Sequence, residues 1–296
     1  MMDRILLIDA HNAMWRACVK FSFGKAPATP SDSEWGADPK PEPKEEQPDE
    51  VIFAFNFFRN LRPLIEMFAP DKCFFVLEGH PQFRYDLFAD YKANRIIKNA
   101  SGKSKESNDT FFRTKDIIVP LMQHLPIATV RAANYEADDV IATLCEDMKG
   151  EDLTVLSNDS DYIQLLQRGY PECKIYNPIK KVCMEAPTYP YVAWKCLNGD
   201  KSDNIPSLLK PKKALDTVNN PDLFKKFMEV EENRANFSVN RQLIEFRSVP
   251  LEEISIKDGV RDFSTLRSVF TEMKFDSIVN DKSWEKYCKT FDCLKY

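Results

Sequence analysis

Within Asn134–Leu144, "NYEADDVIATL", three carboxylates (Glu136, Asp138 and Asp139) fall inside four residues, directly ahead of an apolar helical run. Two unit charges about 5 Å apart repel by roughly 3 kcal/mol at an effective dielectric of about 20, so crowding of this kind calls for compensation. The first turn of a helix supplies some, because the macrodipole favours each acid there by about 0.3–1 kcal/mol. Six further acids ask for more. Asp9, Glu78, Asp159 and Asp161 stand at or just past short apolar runs, and Asp200 and Asp203 share the segment "GDKSDNIP". Carboxylates with no histidine or thiolate among them form an all-oxygen donor set that suits hard cations, Mg²⁺ first and Mn²⁺ second. Two such ions side by side clamp a phosphodiester and convert water into a nucleophile. A helix cap or a solvated turn explains any one of these acids; it does not explain their recurrence at successive strand ends.

The elements that must position them are legible as a βα alternation. Ile5–Ile8 reads as a buried strand ending at Asp9, and Cys73–Leu77 as a second ending at Glu78. Ile127–Arg131 and Leu153–Ser157 read as two more, and helical spacing runs through Phe53–Phe68, through Ile117–Leu125 despite Pro120, and from the Glu136 cluster to about Met148. This predicts an α/β fold with a mostly parallel central sheet flanked by helices over residues 1–188, with the acids on the rim where ligands bind in open parallel sheets. Beyond Tyr189 the pattern turns helical, which predicts a second portion over 189–296. A haloacid-dehalogenase-type phosphatase also carries an aspartate after its first strand, in the form D-x-D. Here the residue two after Asp9 is His11, which excludes it.

Composition limits the alternatives. The 296 residues are 43% hydrophobic and 12% aromatic, enough for a folded core. No apolar run approaches the roughly 18 residues of a membrane span, and the opening "MMDRILLIDA" is too short for a signal peptide, so a cytoplasmic chain with no membrane partner is expected. Eight cysteines without a Cys-x-x-Cys pair and only three histidines argue against structural zinc and against disulfides. The net charge of −5 is also the balance of Lys25–Glu50 alone, a stretch with eight acids, three lysines and six prolines that reads as a mobile acidic loop. Local charge is therefore the better guide to partners. Lys92–Lys115 holds seven basic and two acidic residues between the Glu78 and Glu136 segments, suited to neutralising phosphates. Tyr85, Tyr91, Phe111 and Phe112 at its margins offer stacking faces for bases.

With these motifs in order, the chain resembles the structure-specific 5′-nucleases: phage 5′→3′ exonucleases, the nuclease domain of bacterial DNA polymerase I, and flap endonucleases. The matching stretches are "LLIDAHNAMWRA", "FVLEGHPQFR", "YKANR", "EADDVIATL", "LSNDSDYIQLL" and "GDKSDNIP", with "RQLIEFRSVPLEEI" following less specifically. The resemblance implies that Asp9, Glu78, Glu136, Asp138 and Asp139 serve one metal region, and Asp159, Asp161, Asp200 and Asp203 a second. Two Mg²⁺ ions are implied, with Mn²⁺ able to substitute. It also implies that Lys92 and Arg95 act on the scissile phosphate from the base of a helical arch spanning 92–115. Arg84, Tyr91, Lys103, Lys105, Arg113, Lys210, Lys212 and Lys213 would contact DNA. Hydrolysis at 5′ ends or flaps of DNA follows as the expected activity, with RNA–DNA hybrids as further substrates. Primer or flap removal by a monomer alongside replication proteins would be its setting, in a phage or a bacterium.

There are two departures from the family pattern. Glu78 stands where an aspartate is usual. The glycine-rich hairpin that follows "DNIP" in the family is here "SLLKPKKALDTV", shorter and without glycine. The helix-hairpin-helix portion is thus degenerate, and its K⁺ site loses the close backbone approach that glycine permits. Lys210, Lys212 and Lys213 would grip phosphate by side-chain charge instead. Two other readings compete with the nuclease. One is a non-catalytic DNA-junction binder, which has no reason to keep all nine acids; the other is a toxin-type RNA-degrading domain, disfavoured by chain length and by "GDKSDNIP".

Overall fold

A computed structural model describes residues 2–19, 47–94, 102–169 and 173–295. Seven strands form one sheet in the order β6-β5-β4-β1-β2-β3-β7. β1 (Arg4–Asp9), β2 (Lys72–Leu77), β3 (Ala128–Ala132), β4 (Asp152–Leu156) and β5 (Cys173–Asn177) run parallel, with Asp9 opposite Val76 and Ile8 opposite Leu156. The short β6 (Val182–Cys183) and β7 (Ile254–Lys257) close the two edges antiparallel. β1 lies between β2 and β4, so the connections leave it in opposite directions. That makes the C-terminal end of β1 a topological switch point, the position where open α/β sheets hold ligands.

The strands are apolar on both faces, as a covered parallel sheet requires. Leu6, Ile8 and Phe75 pack on one side with α1 (Ala10–Val19), α2 (Asp49–Phe68) and the inner half of α4 (Gly102–Met122). Ile5, Leu7, Val76 and Val155 pack on the other with α5 (Ala137–Asp147). A third cluster joins α3 (Gln82–Leu87) and Tyr91 to α7 (Tyr191–Asn198), α8 (Pro211–Val218), α9 (Pro221–Glu229) and α10 (Glu231–Ile244). α6 (Ile163–Gln167) links β4 to that side.

The four strands and two of the three helices read from the sequence are present within a few residues of their expected limits; the third, expected over Ile117–Leu125, is the end of a helix that begins at Gly102. β5, β6 and β7 were not foreseen. Nor was the course of the chain after α10: it returns to the sheet, adds β7 to β3, and lays α11 (Phe263–Glu272), α12 (Asp276–Val279) and α13 (Asp281–Thr290) on the first face through Leu266, Phe270, Tyr287 and Phe291. Most of the expected acidic loop lies outside the described residues; its last two, Asp49 and Glu50, are the acidic first turn of α2. Of the expected arch, 95–101 lie outside the described residues, and α4 continues past residue 115 into the core, where Phe111, Ile118 and Met122 are buried. Among the described residues, no helix is long and apolar enough to cross a membrane.

Candidate metal centre

Most of the acids are delivered by a strand end or a helix start, and Asp200 and Asp203 by the turn that follows α7. Asp9 closes β1, and its carboxylate is oriented by three donors. The Asn12 amide donates to Oδ1 at 3.0 Å; the Ser157 hydroxyl at 3.1 Å and the Tyr162 hydroxyl at 3.3 Å donate to Oδ2. Burial pushes Asp9 up to about 6 against these bonds, with Asp159 adding to the rise. Glu78 follows β2, where Gly79 lies so close to the neighbouring loop that a Cβ would sit 2.0 Å from the Ala132 carbonyl oxygen. Only glycine fits there, and the turn aims Glu78 so that the Ala137 amide donates to it at 3.0 Å. Burial, then Glu136 and Asp9, raise Glu78 to about 7.

Glu136 caps α5 in a reciprocal capping box with Asp139. Glu136, Asp138 and Asp139 bring carboxylate oxygens within 4.8 Å of one another. Asp139 is 0% exposed, and Arg84, 1% exposed, reaches both of its oxygens at 2.6 and 2.8 Å. The same guanidinium donates to Glu136 at 2.6 Å and to the Leu243 carbonyl at 3.1 Å, while the Arg247 amide donates to Asp139 at 2.8 Å. Burial opposes the Arg84 charge, but Asp139 and Glu136 outweigh it and raise its pKa. Arg84, for which a DNA contact was expected, is thus buried as an internal clamp on these acids. Tyr91, expected beside DNA as well, is also buried, with its hydroxyl 3.0 Å from Glu136 and 3.4 Å from Asp203. Lys92, at a positive φ of 56°, pairs with Glu136 and lies 3.8 Å from Asp203. Burial would raise Glu136, but Lys92 and Arg84 lower it; Asp138, half-buried beside Asp139 and Glu136, is raised by desolvation and by those two acids.

The second group gathers around a lysine that sequence reading missed. Lys195 is 7% exposed on α7; it pairs with Asp161 and, at 2.9 Å, with Asp200. Tyr191, four residues earlier on the same helix, donates to Asp161 at 3.2 Å. Burial raises Asp161 to about 6 in spite of Lys195. At Asp200, burial is outweighed by Lys195 and Ser202, and the carboxyl falls to about 2. Gly199, at φ 70°, turns the chain from α7 into Asp200, and a Cβ there would meet the Ile205 carbonyl oxygen at 2.6 Å. A tyrosine and a lysine four apart on an otherwise apolar helix, just ahead of a glycine–aspartate pair, were the available signal. Ser157 and Tyr162, inside the "LSNDSDY" motif, gave none beyond their position.

Arg84, Lys92 and Lys195 set three cations against nine carboxylates. Among the described residues no ion pair reaches Asp9, Glu78, Asp138 or Asp159. Asp159 raises Asp9, Asp9 raises Glu78 and Glu78 raises Asp138, and all four act on the buried Tyr162. An all-oxygen, cation-starved cluster at the switch point fits a hard divalent ion. Around it, Lys105, Lys210, Lys212 and Lys213 are exposed, the last three about the start of α8. Arg113 is exposed and bonded to Glu50 at 3.1 Å. Arg95 and the side chain of Lys103 lie outside the described residues. Phe111 is buried and so cannot stack on a base, whereas Phe112 stays exposed beside it.

An acid-rimmed switch point on a parallel sheet defines the class: an α/β protein whose carboxylates crowd together where open sheets hold ligands. The family described as "5′-3′ exonuclease, N-terminal resolvase-like domain" matches residues 4–189. The chain belongs to that family. It is 31% identical over 174 residues to the DNA polymerase I of Streptococcus pneumoniae, covering 54% of this chain but 18% of that protein. It is 28% identical over 232 residues to a 5′-3′ exonuclease of Bacillus subtilis, covering 69% and 75%. The chain thus spans about a fifth of the polymerases it matches. Among solved structures, a bacteriophage T5 flap endonuclease, in a complex with DNA and metal ions, shares the fold over 97% of both chains, with a TM-score of 0.60 at 15% identity.

Proposed function

We propose that the chain is a divalent-metal-dependent 5′-nuclease that hydrolyses phosphodiesters at 5′ ends or flaps of DNA, with RNA–DNA hybrids as further substrates and Mg²⁺ as the working ion. The observation that carries this reading is the crowding of Asp9, Glu78, Asp138 and Asp159, none of which shares an ion pair among the described residues. Those four would hold one ion with Glu136; Asp161, Asp200 and Asp203 would hold a second. Asp139, within the same group of oxygens as Glu136 and Asp138, would serve the first ion from behind. With both oxygens engaged by Arg84, it fixes the start of α5, and so aims Glu136 and Asp138. When bound, a pair of such ions supplies Lewis-acid polarisation of a phosphoryl oxygen and a water of lowered pKa.

The remaining work falls to side chains. Asn12, Ser157 and Tyr162 hold Asp9 in one orientation. Lys92, at the rim between Glu136 and Asp203, can move its charge to a substrate phosphate and, with Arg95, offset charge that develops there. Lys105 and Arg113 on α4 would guide the single strand, and Lys210, Lys212 and Lys213 would hold duplex phosphates where α8 presents its free amides. Residues 191–244 form the portion proposed to grip the duplex. The test is an end-labelled 5′-flap duplex incubated with Mg²⁺ or with chelator. Products with 5′-phosphate and 3′-hydroxyl ends, in Mg²⁺ only, are expected. Binding without cleavage in saturating Mg²⁺ would instead make the chain a junction-binding protein.

A further inference from the structure

Away from the acid rim, a cavity of about 320 Å³ opens between α2 and α12–α13, lined by Arg59, Arg62, Ser277, Ile278, Ser283 and Tyr287. None of the six shares a hydrogen bond or ion pair with the nine rim acids. Its polar lining consists of two guanidiniums and three hydroxyls. Among the described residues, exposed Arg59 has no ion pair, and Arg62 has only a loose one, to Glu66 at 3.7 Å. Of the acids next to the lining in sequence, Asp281 is taken by Arg267 at 2.6 Å, and Asp276 and Glu285 are exposed to solvent. Tyr287 adds an independent sign. It is 3% exposed, its ring is wedged among Phe270, Trp284 and Phe291, and its buried hydroxyl has no hydrogen-bond partner. Leaving such a group unsatisfied is costly, and native proteins rarely do so without a ligand or water to meet it.

We propose that this cavity is a binding site for a phosphate dianion, either inorganic phosphate or the phosphomonoester of a nucleotide. Paired guanidiniums present planar donor forks that match phosphate oxygens, and the Tyr287 hydroxyl supplies a fixed donor from the apolar side. The volume falls within the range of small-molecule sites and is ample for a mononucleotide. The site is independent of the nuclease reading, because nothing in it uses the metal centre.

Calorimetric titration of the full chain in chelator, with inorganic phosphate and separately with a nucleoside 5′-monophosphate, tests this. Saturable one-to-one binding of at least one is expected, and the tighter ligand identifies the source of the phosphate. Tyr287→Phe keeps the ring and removes only the hydroxyl. It should weaken binding about tenfold, the value of one hydrogen bond to a charged group, while melting without phosphate stays the same or rises. Arg59→Gln with Arg62→Gln should abolish binding. No saturable heat at about 10 mM ligand, where a millimolar binder is mostly bound, overturns the site. So does equal affinity in the wild type and the double arginine variant, or binding of a single-stranded oligonucleotide but of neither small phosphate.

Discussion

Replacing Arg84 by Met removes the one cation that Asp139 touches, and its cost can be worked from the site. Asp139 is 0% exposed and would keep only the Arg247 amide at 2.8 Å and the Glu136 amide at 3.4 Å. Its carboxylate would face Glu136 within 4.8 Å with no guanidinium between them. At an effective dielectric of about 20 that repulsion is roughly 3–4 kcal/mol. Breaking a buried ion pair by removing one partner costs about 3–5 kcal/mol by experience, so the two estimates agree near 4 kcal/mol. Urea unfolding in chelator at neutral pH is the assay, read as a lower midpoint at unchanged slope. Adding Asp139→Leu should recover part of the loss, because no uncompensated charge then stays buried. The reasoning fails if Arg84→Met costs less than about 1 kcal/mol, as an exposed charge would. It fails more specifically if that variant instead lowers the salt slope of flap binding by about one, the mark of a lost phosphate contact.

Asp9 and Glu78, raised to about 6 and about 7, make metal-free stability pH-dependent. Their contribution is full below their unfolded values of about 4 and is lost as pH rises through 6 to 7, so melting in chelator should fall over that window. Mg²⁺ should abolish the fall and release protons on binding, seen as binding heats that change with the ionisation enthalpy of the buffer. Lys195→Met leaves Asp161 and Asp200 facing each other without their shared cation. Melting in chelator should drop as for a broken buried pair, about 3 kcal/mol or more, and Mn²⁺ should restore more of it than in the wild type. A Lys195→Met protein as stable as the wild type in chelator would mean that the lysine carries none of the charge balance.

The sequence revealed the elements whose residues answer to one strong local force. β1, β2 and β4 are apolar on both faces and run up to or within three residues of a carboxylate, so both their type and the direction of their acids could be read. β5, "CKIYN", and β7, "ISIK", each carry an exposed lysine, and become strands only because β4 and β3 offer them a ladder. The acids were legible as a set because their crowding has an electrostatic cost that is visible in one dimension. Which of them already had a cation was not. Arg84 lies 55 residues from Asp139, and Lys195 lies 34 from Asp161; only the fold brings them together. The same holds for Tyr91. An aromatic beside a lysine suggests a stacking face, and it takes α10 packing over α3 to bury it.

Crystals grown with Mn²⁺ and examined by anomalous scattering address the central claim most directly. The expected result is a peak bound by oxygens of Asp9, Glu78, Asp138 and Asp159, lost in the Asp9→Asn and Glu78→Gln double variant, while Arg84 stays on Asp139. Saturating Mn²⁺ that leaves those four carboxylates without a peak, or that binds only elsewhere, would contradict it.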